Sequence, residues 1–124
     1  MSNANWRTLS PPGWMPPRGY ANGVAARGTT VFVGGQIGWN GQQQFETDDF
    51  AAQARQALLN VVAVLREAGA GPEHVARMTW YVTDKREYLA AGADIGRVFR
   101  EVIGSYAMAM SVVDAVMLGE KGEQ

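Results

Sequence analysis

The chain reads as an α+β domain in which two helices cover one face of a sheet. Three observations predict this. Thr30-Val31-Phe32-Val33 is a β-branched and aromatic run with strand character. Phe50, Ala54, Ala57, Leu58, Val61, Val62 and Leu65 recur at the spacing of one buried helix face. A strand pattern over 75–82 is then followed by a second helical pattern, Tyr88, Ala91, Ile95, Val98, Phe99 and Val102, and by the apolar run from Met108 to Met117.

At 124 residues the chain fits one compact domain, with 47% apolar and 19% charged residues in the ordinary globular range. A formal net charge of -1 gives no field to attract nucleic acid or an anionic membrane. With no cysteine, disulfides, thiolate catalysis and cysteine-ligated metal are excluded. The single histidine, His74, follows Pro72-Glu73 in a turn and is expected to be exposed. No G-x-S-x-G elbow is present. Met1 to Trp6 lacks the basic region and apolar core of a signal peptide, and no apolar run approaches a membrane span. The expected location is the cytoplasm.

Taken in order, Ser10-Pro11-Pro12-Gly13 and Pro16-Pro17-Arg18-Gly19 mark residues 1–19 as an extended arm. Its aromatics, Trp6 and Trp14, point to packing against the domain. Asn22 to Gly28 reads as a short strand between turn signals, paired with Thr30–Val33 as a hairpin. Asn40-Gly41-Gln42 is a turn. The first helix is expected from about Asp48, capped by Thr47 or Asp48, and is stopped by Gly69 and Gly71-Pro72. In the strand over 75–82, Met78, Trp80 and Val82 share one face, and Arg77, Thr79 and Tyr81 the other. Asp84, with Glu87 three residues on, resembles a capping box for the second helix, which Gly104 ends. Residues 119–124 form a polar tail. Two helices cover only one face of such a sheet, so oligomerisation is the expected cover for the other.

The adjacent glycines Gly34-Gly35 close the Thr30–Val33 run. Glycine there marks either a simple turn or a close approach by another backbone or a ligand. Together with Gly19-Tyr20, Val33-Gly34-Gly35-Gln36-Ile37, Thr83-Asp84 and Ala109-Met110-Ser111-Val112, the order of elements resembles the Rid family. These are the YjgF-type enamine and imine deaminases, also called endoribonuclease L-PSP-like. The resemblance runs from about Tyr20 to about Leu118. It implies a chorismate-mutase-like mixed sheet, and a homotrimer whose sheets form a central barrel with small-molecule pockets at the subunit interfaces. It also implies hydrolysis of an enamine or imine to a keto compound and ammonia, with no metal or organic cofactor.

Carried over by resemblance, the pocket is assigned to Tyr20, Gly34, Gly35, Gln36, Met110 and Ser111, with Arg18, Trp39 and Asp114 as further candidates. The family's arginine position is Met110, its common cysteine or threonine is Val112, and its second-helix asparagine is Gly92. The family's acidic last strand is expected to start where Lys121-Gly122-Glu123-Gln124 stands, so its water-activating glutamate has no counterpart. Methionine cannot pair with a carboxylate as an arginine does, and its thioether suits apolar or aromatic ligands. Met110 is therefore either a pocket residue or core. Arg18 either supplies a replacement cation or is a solvated loop residue. Asp114 is either a buried base or an outward strand residue. Trp39 is either an aromatic lid or an anchor between subunits. Glu120 and Glu123 read as solubilising tail residues. The resulting expectation is a hydrolase-type trimer with an atypical active site. The alternatives are a non-catalytic binding or regulatory trimer and, more weakly, a ribonuclease.

Overall fold

The computed structural model of the protein describes residues 5–105 and 108–114. Its elements run β1 (Trp6–Leu9), β2 (Gly23–Ala26), α1 (Phe50–Glu67), a 3-10 turn (Pro72–His74), β3 (Arg77–Val82), α2 (Lys85–Ala90), α3 (Gly92–Val102) and β4 (Ala109–Asp114). The architecture is α+β, as the hydrophobic periods predict. The last strand's expected continuation over 115–117 and the polar tail over 119–124 lie outside the described residues.

The sheet is in two parts. β1 pairs antiparallel with β2, and β3 pairs parallel with β4. A bridge from Ala21 to Ala109 ties the parts together, with the Ala21 N–H donating to the Met108 carbonyl at 2.8 Å. This corrects the expected hairpin. β2 takes its partner from the N-terminal arm, and Thr30–Val33 forms no ladder. The physical reason lies on either side of Arg27. Its N–H continues the β1–β2 pairing by donating to the Asn5 carbonyl, and Gly28 at φ 139° then turns the chain away. The Pro/Gly clusters after Leu9 conceal a four-residue strand within the arm.

α1 starts two residues later than expected. Asp49 is the cap, accepting from the Ala52 N–H at 2.9 Å, while Thr47 Oγ1 accepts from the Asp49 N–H at 3.0 Å. Gly69 at φ 72° ends the helix: its N–H reaches the Arg66 carbonyl and that of Ala70 reaches Leu65, both at 3.0 Å. The single second helix expected from Asp84 is instead two, broken at Ala91 (φ -94°, ψ 14°). Gly92, a poor helix former, follows the break directly. Asp84 does cap α2, through the Arg86 N–H at 2.9 Å.

The core lies between the helices and one face of the β3–β4 sheet. Leu58 and Val62 of α1, Val98 of α3, Ile103 and the fully buried Met108 form its centre. Met78, Trp80 and Met110 pack against them from the sheet. Register pairs Met78 with Met110 and Trp80 with Val112, so these four share the face turned to the helices, although Val112 itself stays 41% exposed. On the opposite face Tyr81 is 55% exposed and its register partner Val113 40%. The two-faced pattern of Met78 to Val82 thus survives in three dimensions, with Met78, Trp80 and Val82 the better covered side of β3 in the single chain.

Candidate functional site

The residues assigned to the pocket fall into two groups on different supports. The first surrounds the start of β4. Tyr20 precedes Ala21, whose bridge to Ala109 brings it beside the strand that carries Met110 and Ser111. Met110 is half-buried against the core, on the same face as Trp80. Ser111 is exposed and pairs with Thr79 in register. Tyr20 and Arg18 are both exposed. Asp114 ends β4, and its side chain lies outside what is described.

The second group is the segment from Gly34 to Trp39. Gly34 and Gly35 are exposed, and a Cβ at either would meet open space. Within one chain, then, neither glycine is demanded by a neighbour. Gln36 folds back, its Nε2 donating to the Gly34 carbonyl at 3.3 Å. The segment is fixed to α1 by Asn60, whose Nδ2 donates to the carbonyls of Ile37 at 3.1 Å and Trp39 at 2.8 Å. Gln56 Nε2 orients that amide by donating to Asn60 Oδ1 at 2.9 Å. Gly38 sits directly on the helix. A Cβ there would come within 2.6 Å of Gln53 Cβ and 2.9 Å of its Cα, so only glycine allows the approach.

Sequence reasoning missed Asn60 and Gly38. By its spacing Asn60 falls outside the apolar stripe of the first helix, on its polar side. A signal was available: asparagine in a helix interior is a poor helix former that competes for backbone hydrogen bonds. Gly38 is one of several glycines between 34 and 41, and nothing local separates it from them.

Beyond this segment the chain makes a tight polar loop. Trp39 bridges to Phe45, the ring centroids 5.8 Å apart, and is half-buried by its own loop. Asn40 organises the turn with Oδ1 accepting from the N–H groups of Gln42 and Gln44, at 2.9 and 3.1 Å. An open cleft of about 260 Å³ lies between this loop and α1, lined by Gly38, Glu46, Thr47, Ala52, Arg55 and Gln56. Arg55 also reaches Glu101 at 3.6 Å across the exposed surface. Of these residues the sequence pattern singles out only Thr47, as a helix-cap candidate.

Chemically, the first group offers the Tyr20 and Ser111 hydroxyls, with the Met110 thioether on the other face of β4 from Ser111, and the second offers backbone amides and the Gln36 side chain. These can orient a small polar group by hydrogen bonds. Among the described residues no cluster of three histidine or acidic side chains could hold a metal ion. None of the described helices is long and apolar enough to cross a membrane. His74 is exposed as expected, its Nδ1 accepting from the Gly71 N–H at 3.0 Å.

Comparison with known proteins places this geometry. A family model described as endoribonuclease L-PSP matches residues 14–122. A RutC family protein of Synechocystis is 35% identical over 101 residues, spanning 80% of this chain and 75% of its own. The RutC family protein of Haemophilus influenzae is 35% identical over 74 residues, covering 60% and 57%. Among solved structures, YyfB of Yersinia pestis, a Rid family protein of unknown function, superposes with a TM-score of 0.80. It is 30% identical and covers 95% of this chain and 91% of its own. RidA of an Antarctic Psychrobacter gives a TM-score of 0.57 at 28% identity, covering 79% and 83%. With the family model matched over most of its length and the same fold in its relatives, the chain belongs to the Rid/YjgF family, the endoribonuclease L-PSP family.

Proposed function

We propose that the protein is a homotrimer that binds a small, weakly polar organic molecule at its subunit interfaces and hydrolyses enamines or imines there. The observation that carries this reading is apolar surface left uncovered beside both groups of site residues. Phe32, two residues before the glycine pair, is 90% exposed, and Tyr81 and Val113 lie open on the sheet face that carries Ser111. Uncovered aromatic surface of this kind marks association. In the proposed trimer this surface is buried against further copies, and the glycine segment of one chain faces the Tyr20–Met110 region of another. The uncrowded Gly34 and Gly35 support this, because their open Cβ positions leave room for a neighbouring chain or a ligand.

The half-buried Met110 supports a substrate without a carboxylate. In that surrounding a thioether favours apolar or aromatic groups, whereas a carboxylate needs a charge-assisted partner. The same residue favours a second reading, a trimer that binds without catalysing. Ribonuclease activity, which the family description suggests, is the weakest reading, since a net charge of -1 lacks the basic field of a nucleic-acid enzyme.

The test adds purified protein to imines generated in situ, one bearing a carboxylate and one aromatic and uncharged, and times ammonia and carbonyl release. Acceleration with the uncharged imine supports the deaminase reading, and Met110→Arg is expected to move the preference toward the carboxylate. Saturable binding without turnover selects the non-catalytic reading. A monomeric mass in solution defeats both.

A further inference from the structure

The sequence has two Asn-Gly pairs, Asn22-Gly23 and Asn40-Gly41, and the structure treats them differently. We infer that Asn40 is a site of spontaneous deamidation, with the surrounding turn serving as its oxyanion hole. In this chemistry the backbone nitrogen of the following residue attacks the asparagine side-chain carbonyl. Glycine permits the approach because it has no Cβ. Gly41 is exposed, and a Cβ built on it would meet nothing within 4 Å, so no neighbouring side chain guards the nucleophile.

The electrophile is prepared by the fold. Asn40 Oδ1 accepts two backbone N–H groups, from Gln42 at 2.9 Å and Gln44 at 3.1 Å. Two amides converging on one carbonyl oxygen stabilise the negative charge that develops there as the carbon becomes tetrahedral. They also fix the side chain, folding it back over the turn that follows. The departing nitrogen, Nδ2, donates to Glu46 Oε2 at 3.0 Å.

The step balances without any group from outside except water. Solvent hydroxide removes the Gly41 N–H proton, and the nitrogen bonds to Asn40 Cγ. The tetrahedral oxyanion collapses, and Nδ2 leaves as ammonia after taking a proton from water. Water then opens the cyclic imide at either carbonyl, leaving aspartate or isoaspartate. The net change is amide plus water to acid plus ammonia.

Asn22 has no such arrangement. Its Nδ2 donates to Ser10 Oγ at 3.2 Å, and Gly23 is the first residue of β2, in register with Leu9. A Cβ on Gly23 would already touch Leu9 Cβ at 3.4 Å, so the strand pairing confines the nucleophile.

Conversion has a structural result. In the aspartate product the Nδ2 donor becomes a carboxylate oxygen facing the Glu46 carboxylate, so an attraction becomes a repulsion; in the isoaspartate product the backbone itself lengthens through Cβ and the Nδ2 donor is lost. The loop joining Trp39 to Phe45, flanked by the cleft residues Gly38 and Glu46, is loosened irreversibly, which makes the turn a one-way timer. This holds whatever the protein binds.

The experiment incubates the folded protein at mildly alkaline pH and follows amide-to-acid conversion at each asparagine by peptide mass and isoaspartate content. One oxyanion-hole donor is worth 10²–10³ in rate in enzymes, and even a small part of that gives at least about tenfold faster conversion at Asn40 than at Asn22. Gly41→Ala, which the open surroundings accommodate, is expected to suppress conversion at Asn40 without changing Asn22. Equal or faster conversion at Asn22 would overturn the inference, as would an Asn40 rate unchanged by Gly41→Ala.

Discussion

Replacing Asn60 by alanine isolates the link between α1 and the glycine segment. Two hydrogen bonds are lost, to the Ile37 and Trp39 carbonyls at 3.1 and 2.8 Å, in a part-buried setting. At about 1 kcal/mol each they amount to about 2 kcal/mol. Losing the Gln56–Asn60 pair within the helix costs about 0.3 kcal/mol more. Alanine returns about 0.6 kcal/mol through its better helix propensity. The net expectation is a loss of about 1.5 kcal/mol, seen in urea as a midpoint lowered by about 1 M with an unchanged slope. Both proteins must be compared at one concentration, since association shifts apparent stability. The sign is informative, because helix propensity alone predicts that Asn60→Ala stabilises. A stability gain, or a loss below about 0.5 kcal/mol, would refute the claim that this amide anchors the segment. Asn60→Asp sharpens the comparison. It keeps the acceptor for Gln56 but sets a carboxylate against two carbonyl oxygens, and it is expected to be the more damaging change above the carboxylate titration range.

Gln43 lies at φ 62°, the only non-glycine residue of the described chain in the left-handed region. Gln43→Gly relieves a strain of about 1 kcal/mol, partly offset by glycine's unfolded-state entropy, so thermal unfolding is expected to show a gain of about 0.5 kcal/mol. The Arg86 backbone N–H, aided by its guanidinium, holds the Asp84 carboxyl below its ordinary value. A depressed folded-state value stabilises above the unfolded value and is lost as pH falls through the folded one. Amide exchange protection at Lys85 to Tyr88 is therefore expected to fall on acidification below the ordinary carboxylate range and to stay level in Asp84→Asn; the same acid loss in both proteins would remove Asp84 as its source.

The parts of the fold legible in the sequence are those written in hydrophobic period. Leu58, Val62, Ile95 and Val98 were all assigned to buried helix faces, and all are buried. The Met78–Trp80–Val82 face was read from simple alternation. Pairing was not legible, because strand partners are chosen over long sequence separations. Nothing local in Trp6-Arg7-Thr8-Leu9 says that it outcompetes Thr30-Val31-Phe32-Val33 for β2. The break at Ala91 was hidden for a related reason: the apolar period continues across it, and the chain keeps turning through Ile95 N–H to the Ala91 carbonyl at 2.8 Å.

The candidate site divides along the same line. The glycine pair interrupts a strand pattern in the sequence, yet the glycine that the single chain requires is Gly38, pressed against Gln53. The two observations fit one arrangement. Gly38 and Asn60 clamp the far end of the segment to α1, so Gly34 and Gly35 are held out from the domain at a fixed place with open space above them. Phe32, exposed on the other side of the pair, is not anchored in this way. A segment fixed at one end and apolar at the other is suited to closing against a second surface, because the clamp limits the conformational entropy lost when Phe32 is buried. The single chain therefore carries a fixed support for the wall proposed above, while Tyr20 and Met110, proposed to face it, sit on a separate support beside β4.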